Sequence, residues 1–457
     1  MTDSNELDHL RGKMKSITGD IMQLIRTRLE IAERIGKIKA TQSRQIEDES
    51  AEQEIQNYVQ DLATRMGFDG KFSGRLLNLL ISQSIDIQLK NLPPVNTINH
   101  MTMFIRAKKL EEGGKKIIHL EVGEPDYMPP KQVNAAMYKA LKMGKVHYTD
   151  PKGIPSLRTQ LARKFGIKNA EEVIVTPGGR FGVFSAIASI VNPGEEIIIF
   201  EPAWPAYREC AEFVGAKVKV IKTSINCNWN PDIESVEKAI TENTKMIILN
   251  YPNNPTGKII HRDLYTKIID LARQYHIFVL SDEVYGQYCY SKLTSILSTG
   301  YENGIMVSSL SKSHAMTGFR IGYAIANGDI ISKMAKVQAI AITSVAEPIQ
   351  YAAIAALKDN VEANVARIKR RLDFVHRRLE NMPFKFCYPD GGMYFFLELK
   401  NGEIGTPQLL NSLLNRGVAV APGIGFGTDY ADFIRISVCQ PLSTLGKGLD
   451  IIQSLVR

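Results

Sequence analysis

The sequence of 457 residues predicts a multidomain protein: an all-α helical module at the N-terminus, followed by a larger α/β part built on a doubly wound, mostly parallel sheet. Three observations lead there. Residues 5–90 hold no proline and carry apolar side chains at helical spacing. The run Leu92-Pro93-Pro94-Val95-Asn96-Thr97 then interrupts that pattern as a stiff linker. From residue 100 onward, short apolar strands alternate with helical segments. A chain of this length also exceeds what a single core supports.

The elements follow in order. A first helix is predicted over roughly 5–40, with Leu10, Met14, Ile17, Ile21, Leu24, Ile25, Ile31 and Ile35 at helical spacing. It would be about 50 Å long, more than so small a module covers by itself, so a partner chain is expected. Second and third helices are predicted near 48–66 and 71–90. The boundaries are therefore 1–91 for the helical module, 92–99 for the linker and 100–457 for the rest. Strands are predicted at 173–176, 196–200, 218–221, 246–250, 277–281 and 306–308. Most run directly into polar, glycine-rich residues and then a helix. Ligands on such sheets bind at the carboxyl ends of the strands.

Composition narrows the class. The formal net charge is +8, yet residues 1–90 carry 13 Lys+Arg against 14 Asp+Glu, so the excess lies in the remainder. There it forms no block, and no nucleic-acid partner is expected. No apolar run is long enough to span a bilayer and the start, Met1-Thr2-Asp3-Ser4, is polar, so neither a signal peptide nor a membrane partner is expected. Five cysteines, scattered and without CxxC spacing, point to a cytoplasmic, reducing compartment with neither a disulfide framework nor a metal site.

Chemistry gathers at the predicted strand ends. Lys312 stands in Ser309-Leu310-Ser311-Lys312-Ser313-His314, with Arg320 eight residues on. An amine among hydroxyls with a nearby guanidinium suits a Schiff base to an aldehyde cofactor whose phosphate the neighbours hold. After 173–176 come Gly178, Gly179 and Arg180, a turn that can present N–H groups to a phosphate or be a tight turn only. After 196–200 comes Trp204, a ring that can stack on a flat cofactor or fill a core. Asn254, in the run 250–257, can donate to a ring oxygen. After 277–281 come Asp282 and Tyr285. A carboxylate there can pair with a pyridine nitrogen, or cap a helix. Taken in order, Gly179, Trp204, Asn254, Asp282, Tyr285, Ser309, Lys312 and Arg320 supply the parts that pyridoxal 5'-phosphate needs.

Asn254, Asp282, Tyr285, Lys312 and Arg320 lie in the runs NNPTG (253–257), SDEVYG (281–286) and SKSHAMTGFRIGY (311–323), and GEPD (123–126) and FIRIS (433–437) flank them. With these runs, residues 100–457 resemble a class I aminotransferase of the aspartate/aromatic aminotransferase family, fold type I of the pyridoxal-phosphate enzymes. The resemblance implies a large domain at about 145–345 and a small α+β domain from about 100–144 and 346–457. It implies that Lys312 is the Schiff-base lysine and proton shuttle, and that Asp282 pairs the pyridine nitrogen. Asn254 and Tyr285 would hold the ring oxygen, and Gly179, Ser309 and Arg320 the phosphate. Tyr148 matches the family's tyrosine that reaches a neighbouring subunit's phosphate, which implies an obligate dimer. Arg435, on an alternating, edge-like strand, offers a planar fork for a substrate α-carboxylate, helped by the backbone at Gly123. Arg180 departs from the usual lysine or neutral residue. It could bind a side-chain or ring carboxylate, or be an exposed helix-start residue beside the cofactor turn.

In the helical module, Arg28 and Lys39 are eleven residues apart and share a helix face. Arg11 is roughly a quarter-turn off that face and would serve a different site. Asp48 with Glu52, and Ser84 with Gln88, are each four apart. Such cations and amides suit a small dianion, or are solvated helix faces. The runs LRGKM (10–14) and RLEIAERIGKIK (28–39), with Ser84 and Gln88, resemble an AroQ-type chorismate mutase, an all-helical intertwined dimer. The resemblance implies a pericyclic rearrangement of chorismate to prephenate without a cofactor. Arg11 of a partner chain and Arg28 would hold the carboxylates, with Ser84 in support. Lys39 and Gln88 would donate to the ether oxygen. Glu52, with the chain near Asp48, would hold the hydroxyl. Ala51 departs from the family's usual arginine.

Together the two resemblances imply a bifunctional enzyme of aromatic amino acid biosynthesis. It would act on chorismate, amino acids and 2-oxo acids as a homodimer or higher homo-oligomer. The alternative is an aminotransferase whose helical domain senses an aromatic end product. A pyridoxal-phosphate-containing DNA-binding regulator fits poorly, because the module is near neutral and begins with one long helix.

Overall fold

The computed structural model describes residues 2–41, 49–90, 100–400 and 405–456. They form two compact units, Met1–Asn96 and Thr97–Arg457.

The first unit is three helices: α1 (Thr2–Thr41), α2 (Glu49–Met66) and α3 (Gly70–Lys90). With no proline to stop it, α1 runs unbroken for 40 residues, about 60 Å. Its C-terminal half lies against α3, and the approach is close because position 36 has no side chain. A Cβ on Gly36 would sit 2.7 Å from the Gln88 Cα. Toward the other end, Leu10, Met14, Ile17, Ile21 and Leu24 are each more than half exposed. That stripe is what the chain alone leaves uncovered.

The second unit begins with α4 (His100–Glu112) and β1 (Ile118–His119), then α5 (Lys131–Lys142) and α6 (Pro155–Lys164). The alternation that follows is β2 (Val173–Thr176), α7 (Gly179–Ile190), β3 (Glu196–Glu201), α8 (Ala206–Phe213) and β4 (Lys217–Lys222). It continues through α9 (Ile233–Ala239), β5 (Thr244–Asn250), α10 (Arg262–Gln274), β6 (Phe278–Asp282), β7 (Gly304–Ser309) and β8 (Gly322–Ile325). After α11 (Gly328–Ile342), α12 (Glu347–Ala356) and α13 (Glu362–Leu379) come β9 (Phe384–Lys385), β10 (Tyr394–Leu399), α14 (Thr406–Asn415), β11 (Val418–Ala419), β12 (Ala421–Pro422), β13 (Phe433–Ser437) and α15 (Leu442–Leu455).

Seven strands make the large sheet, in the order β2-β8-β7-β6-β5-β3-β4. Pairing is parallel from β7 to β4, and β8 is antiparallel to both β2 and β7. The inner parallel strands β3, β5, β6 and β7 are buried on both faces, which is why their sequences read as apolar runs, whereas β4 at the edge alternates lysine with apolar residues and is only partly buried. The sequence reading contains no strand at 322–325. Those four residues follow the phosphate-motif arginine with no turn signal of their own, and sheet pairing on both sides makes the strand. The six predicted strands are present, 173–176 with its predicted ends and the others with one or both ends shifted by one or two residues.

The smaller sheet has the order β12-β13-β10-β9, and β1 pairs with β11 in parallel. The edge-like expectation for 433–437 is corrected here. β13 pairs with β10 on one side and β12 on the other, and all five residues are buried. The core around the large sheet also differs from the expected division. Val133 of α5 and Ala352, Ala353 and Ala356 of α12 pack into it, although 100–144 and 346–457 were assigned to the small domain. Helices at chain crossovers bury whichever face meets an apolar surface, and motif spacing does not reveal which surface that is. Among the described residues, no helix is long and apolar enough to cross a membrane, and no group of His, Cys, Asp and Glu could hold a metal ion.

The Gly36 contact yields a prediction. Gly36→Val should force α1 from α3 and destabilise the helical unit by about 1–3 kcal/mol. A lower urea midpoint for the first unfolding transition of the full chain is the expected result. An unchanged midpoint would show that the helices have room to spare.

Candidate active sites

The carboxyl ends of the parallel strands converge on a cavity of about 340 Å³ in the second unit. Its floor starts at the turn between β2 and α7. Gly178 sits at φ +87°, where only glycine is unstrained, and a Cβ there would lie 2.7 Å from Arg320 Nη2. Directly beneath, a Cβ on Gly322 would meet the Gly179 nitrogen at 2.7 Å. The turn is thus held open over the α7 N-terminus, whose N–H groups have no helical acceptors of their own. Ser309 ends β7 beside it, its Oγ accepting from the Ser311 N–H at 3.3 Å. Arg320, itself at φ +53°, donates from Nη1 to the Thr317 carbonyl at 2.9 Å. Gly179, Ser309, Ser311 and Arg320 all line the cavity, and together they form a cradle for an anion.

Asp282 is the last residue of β6 and is buried. Its Oδ2 accepts from the Tyr207 hydroxyl at 2.7 Å, and its Oδ1 from the Val284 N–H at 3.1 Å. Burial pushes its pKa up to about 6, although Tyr207, Val284 and the charge on Lys312 pull the other way. A carboxylate so placed is stabilised by a cation brought against it. The Asn250 side chain ties the end of β5 to this point, donating to the Asp282 carbonyl at 3.0 Å and accepting from the Asn254 N–H at 2.9 Å. Tyr285 and Tyr394 share a hydrogen bond of 2.8 Å, and burial holds the Tyr285 phenol well above its usual range.

Lys312 donates from Nζ to the Gly123 carbonyl, and its own carbonyl accepts from the Tyr288 hydroxyl at 3.0 Å. Glycine is required at 123, since a Cβ would stand 1.6 Å from the Tyr394 hydroxyl. Arg435 projects from β13 with 3% exposure. Its guanidinium lies 4.3 Å from the Tyr394 ring centroid and 5.0 Å from that of Phe426. Nη1 donates to Asn254 Oδ1 at 2.8 Å, Nη2 to the Glu121 carbonyl, and Nε is buried without a partner among the described residues. Arg180 rests over the Trp204 ring, 4.7 Å from its centroid, and both line the cavity.

One chain therefore gathers Gly123, Gly179, Arg180, Trp204, Asn254, Asp282, Tyr285, Ser309, Lys312, Arg320 and Arg435 around one cavity. Tyr148 is not among them. It is 88% exposed, as a side chain directed at another subunit would be. Sequence reasoning passed over Tyr207, Tyr394, Phe104 and Ser311, which also line the cavity. Tyr207 had a signal, since it opens the helix after β3 three residues beyond Trp204. Phe104 and Tyr394 reach the cavity from outside the large sheet, and nothing in their neighbourhood marks them.

In the helical unit, Arg28 reaches across from α1 to α3. It donates from Nη1 to the Leu80 carbonyl at 2.7 Å and to Ser84 Oγ, and burial lowers its pKa. Ser84 and Gln88 are buried, and the Gln88 Oε1 has no partner among the described residues. Lys39 is half-buried one helical turn beyond Gly36, the residue that meets Gln88. Arg11 does not join them. It pairs with Asp8 at 3.4 Å on the exposed end of α1, about 25 Å along the helix from Arg28. Asp48 and the side chains of Ala51 and Glu52 lie outside the described residues.

Comparison with known proteins identifies the families of both units. Residues 115–452 match the family model for aminotransferase class I and II, and residues 10–89 match that for chorismate mutase type II. The chain belongs to the class I and II aminotransferases, and it carries a chorismate mutase domain ahead of the aminotransferase domain. It is 33% identical to the aspartate aminotransferase of Thermotoga maritima over 364 residues, which is 78% of this chain and 96% of that protein. It is 34% identical to the aspartate/prephenate aminotransferase of Thermus thermophilus over 366 residues, 76% of this chain and 94% of that protein. A solved structure of Thermus thermophilus aspartate aminotransferase with maleate superposes with a TM-score of 0.74 at 32% identity, covering 78% of this chain and 96% of that one. Enzymes of this family use pyridoxal phosphate. The residues here fit it, with an anion cradle at Gly178 and Gly179, a buried acid that gains from a cation, and an amine between them.

Asp282 supplies a pH test on cofactor-free protein. An acid whose folded pKa is raised costs stability as pH rises from its unfolded value near 4 to about 6, and the full cost persists above that. Asp282→Asn should therefore stabilise the cofactor-free chain by up to roughly 3 kcal/mol above pH 6. The difference should close below about pH 4, as read from urea unfolding across pH. A constant difference at all pH values would contradict the assignment.

Proposed function

We propose that this chain converts chorismate to prephenate in its helical unit. Its second unit then transaminates an aromatic oxo acid or prephenate, with glutamate or aspartate as donor. The single observation that supports the second half best is the convergence of Lys312, Asp282, Arg320 and Arg435 on one cavity. Pyridoxal phosphate, when bound, supplies the electron sink that makes the substrate Cα proton acidic.

The chain's residues divide the work around it. Gly179, Ser309, Ser311 and Arg320 hold the phosphate, joined by Tyr148 from the neighbouring subunit. Asp282 pairs with the pyridine nitrogen, and Tyr207 fixes which carboxylate oxygen faces it. Asn254 and Tyr285 donate to the ring oxygen, and Trp204 covers the ring. The Lys312 amine would hold the cofactor's aldehyde and would be the base that moves the proton at the substrate Cα. Arg435 takes the substrate α-carboxylate, for which its stacked, planar fork and unpartnered Nε are prepared. Arg180, held over Trp204, is suited to a second carboxylate on the donor or on prephenate.

In the helical unit Arg28 and Ser84 would hold one carboxylate, and Arg11 of the partner chain the other. Lys39 and Gln88 would donate to the ether oxygen as charge builds there, and Glu52 with the chain near Asp48 would hold the hydroxyl. The exposed stripe on α1 supports a homodimer that delivers Arg11 to a neighbour's site. The scattered cysteines and the absence of a spanning helix among the described residues support a cytoplasmic enzyme.

The purified chain should consume chorismate and should aminate phenylpyruvate, 4-hydroxyphenylpyruvate or prephenate. Lys39→Ala should lower the chorismate rate by about 100-fold or more, the usual effect of deleting a donor to a developing oxyanion, and leave transamination unchanged. A wild-type chain that leaves chorismate untouched would leave the helical unit as a binding module.

A further inference from the structure

Arg435 is held on one side by Asn254 and on the other by the main chain of Glu121. The second support has a charged network behind it. The Glu121 side chain is fully buried, and its Oε1 lies 2.6 Å from His119 Nδ1. The other ring nitrogen of His119, Nε2, lies 3.1 Å from Glu111 Oε1, an ion-pair contact without the alignment of a full hydrogen bond. Glu111 belongs to α4, as does Phe104, which lines the cavity and faces the His119 ring at 6.1 Å. One imidazole therefore joins the segment that supports Arg435 to the helix that walls the cavity.

We propose that His119 is a positioning residue for the substrate-binding arginine: clamped between Glu121 and Glu111, it fixes the Glu121 carbonyl that receives Arg435 and holds Phe104 of α4 against the cavity. This rests on the reading that Arg435 takes the α-carboxylate. A buried carboxylate whose second oxygen has no partner is stable only beside a cation, and His119 can be that cation. Two flanking carboxylates raise the His119 pKa, Glu121 most, while burial opposes them. The other charged groups at this place are Lys108 of α4, which pairs with Glu111 at 2.8 Å, and Glu124, which acts on Lys108. From the opposite side β11 presents only Val418 and Ala419.

The sign follows. The clamp is complete while His119 is protonated, and it is lost as pH rises through its raised pKa. A neutral ring can donate from one nitrogen only, so one carboxylate then loses its donor. The consequence belongs to substrate binding, because Arg435 and Phe104 line the cavity and His119 does not.

The test is steady-state transamination by the holoenzyme across pH, with KM and kcat read separately. His119→Phe keeps a ring against Phe104 and removes both polar contacts. It should raise KM about tenfold for amino donor and oxo acid alike, with kcat within about twofold. His119→Asn can still donate to Glu121 from the position of Nδ1 yet cannot titrate. It should recover most of the low KM and flatten the rise of KM toward high pH. Glu111→Gln should move that rise to lower pH. Ionisations elsewhere in the site are common to all variants and drop out of the comparison. An unchanged KM in folded His119→Phe, or a His119→Asn profile that overlays the wild type, would overturn the proposal. Arg435→Gln separates the two readings. If it fails to raise KM, the assignment of Arg435 is at fault. If it raises KM and the His119 variants do not, only the clamp is.

Discussion

A carboxylate kept fully inside the protein governs how the larger unit is built. Asp282 ends β6 with strands on either side, it is only 5% exposed at the cavity wall, and burial raises its pKa to about 6. Such a group is tolerated only where donors are fixed around it. The Tyr207 hydroxyl arrives from the helix after β3 and the Val284 N–H from the turn that follows β6, while Asn250 at the end of β5 donates to the Asp282 main-chain carbonyl. Each is a consequence of parallel pairing, which sets the carboxyl ends of neighbouring strands side by side. The chemistry is therefore not added to the sheet. The same register that buries the strands brings the lysine, the acid and the anion cradle to one edge.

Arg435 extends that arrangement to the second sheet. Its fork lies between the faces of Tyr394 and Phe426, and its hydrogen bonds reach Asn254 after β5 and Glu121 after β1. A side chain so completely held can bind a carboxylate with little loss of rotamer freedom, which is how preorganisation raises affinity. Because its supports come from both sheets, whatever shifts the small sheet against the large one is felt at the substrate carboxylate. In the helical unit the logic is different. Among the described residues of that unit no acid is buried, and Arg28, Ser84 and Gln88 lie where two helices approach closely at Gly36. A pericyclic rearrangement asks for shape and for charge compensation, and helices that expose an apolar stripe can obtain both by pairing with a second copy.

Much of this was legible in the sequence because the informative residues sit at strand ends, where a buried apolar run gives way to polar residues. Gly179, Asn254, Asp282, Ser309 and Lys312 are all of that kind. Residues that reach the cavity from elsewhere were not legible. Tyr394 is inside an apolar strand of the small sheet, and Phe104 is on a helix whose pattern differs in no way from that of a surface helix. Tyr207 is the exception, since its place three residues beyond Trp204 is a signal, although its bond to Asp282 is not. The interior position of β13 was missed because alternation of apolar and polar residues ordinarily marks a half-exposed strand. Here the polar members, Arg435 and Ser437, are buried as well, Arg435 at the cavity and Ser437 accepting from the Cys439 N–H. In the helical unit, spacing placed Arg28 with Lys39, and it set Arg11 apart. Which chain Arg11 serves is a matter of assembly, which helical periodicity does not encode.

The account depends most on Lys312 being the covalent anchor of the large unit and on the helical unit working without it. The direct measurement is the visible absorbance of cofactor-loaded Lys312→Ala, together with its transamination rate and its rate of chorismate consumption. The account predicts that the absorbance of lysine-bound pyridoxal phosphate disappears and that transamination falls by at least about 1,000-fold, while chorismate is consumed as by the wild type. Transamination that persists at a comparable rate, or loss of both activities in a folded protein, would contradict it.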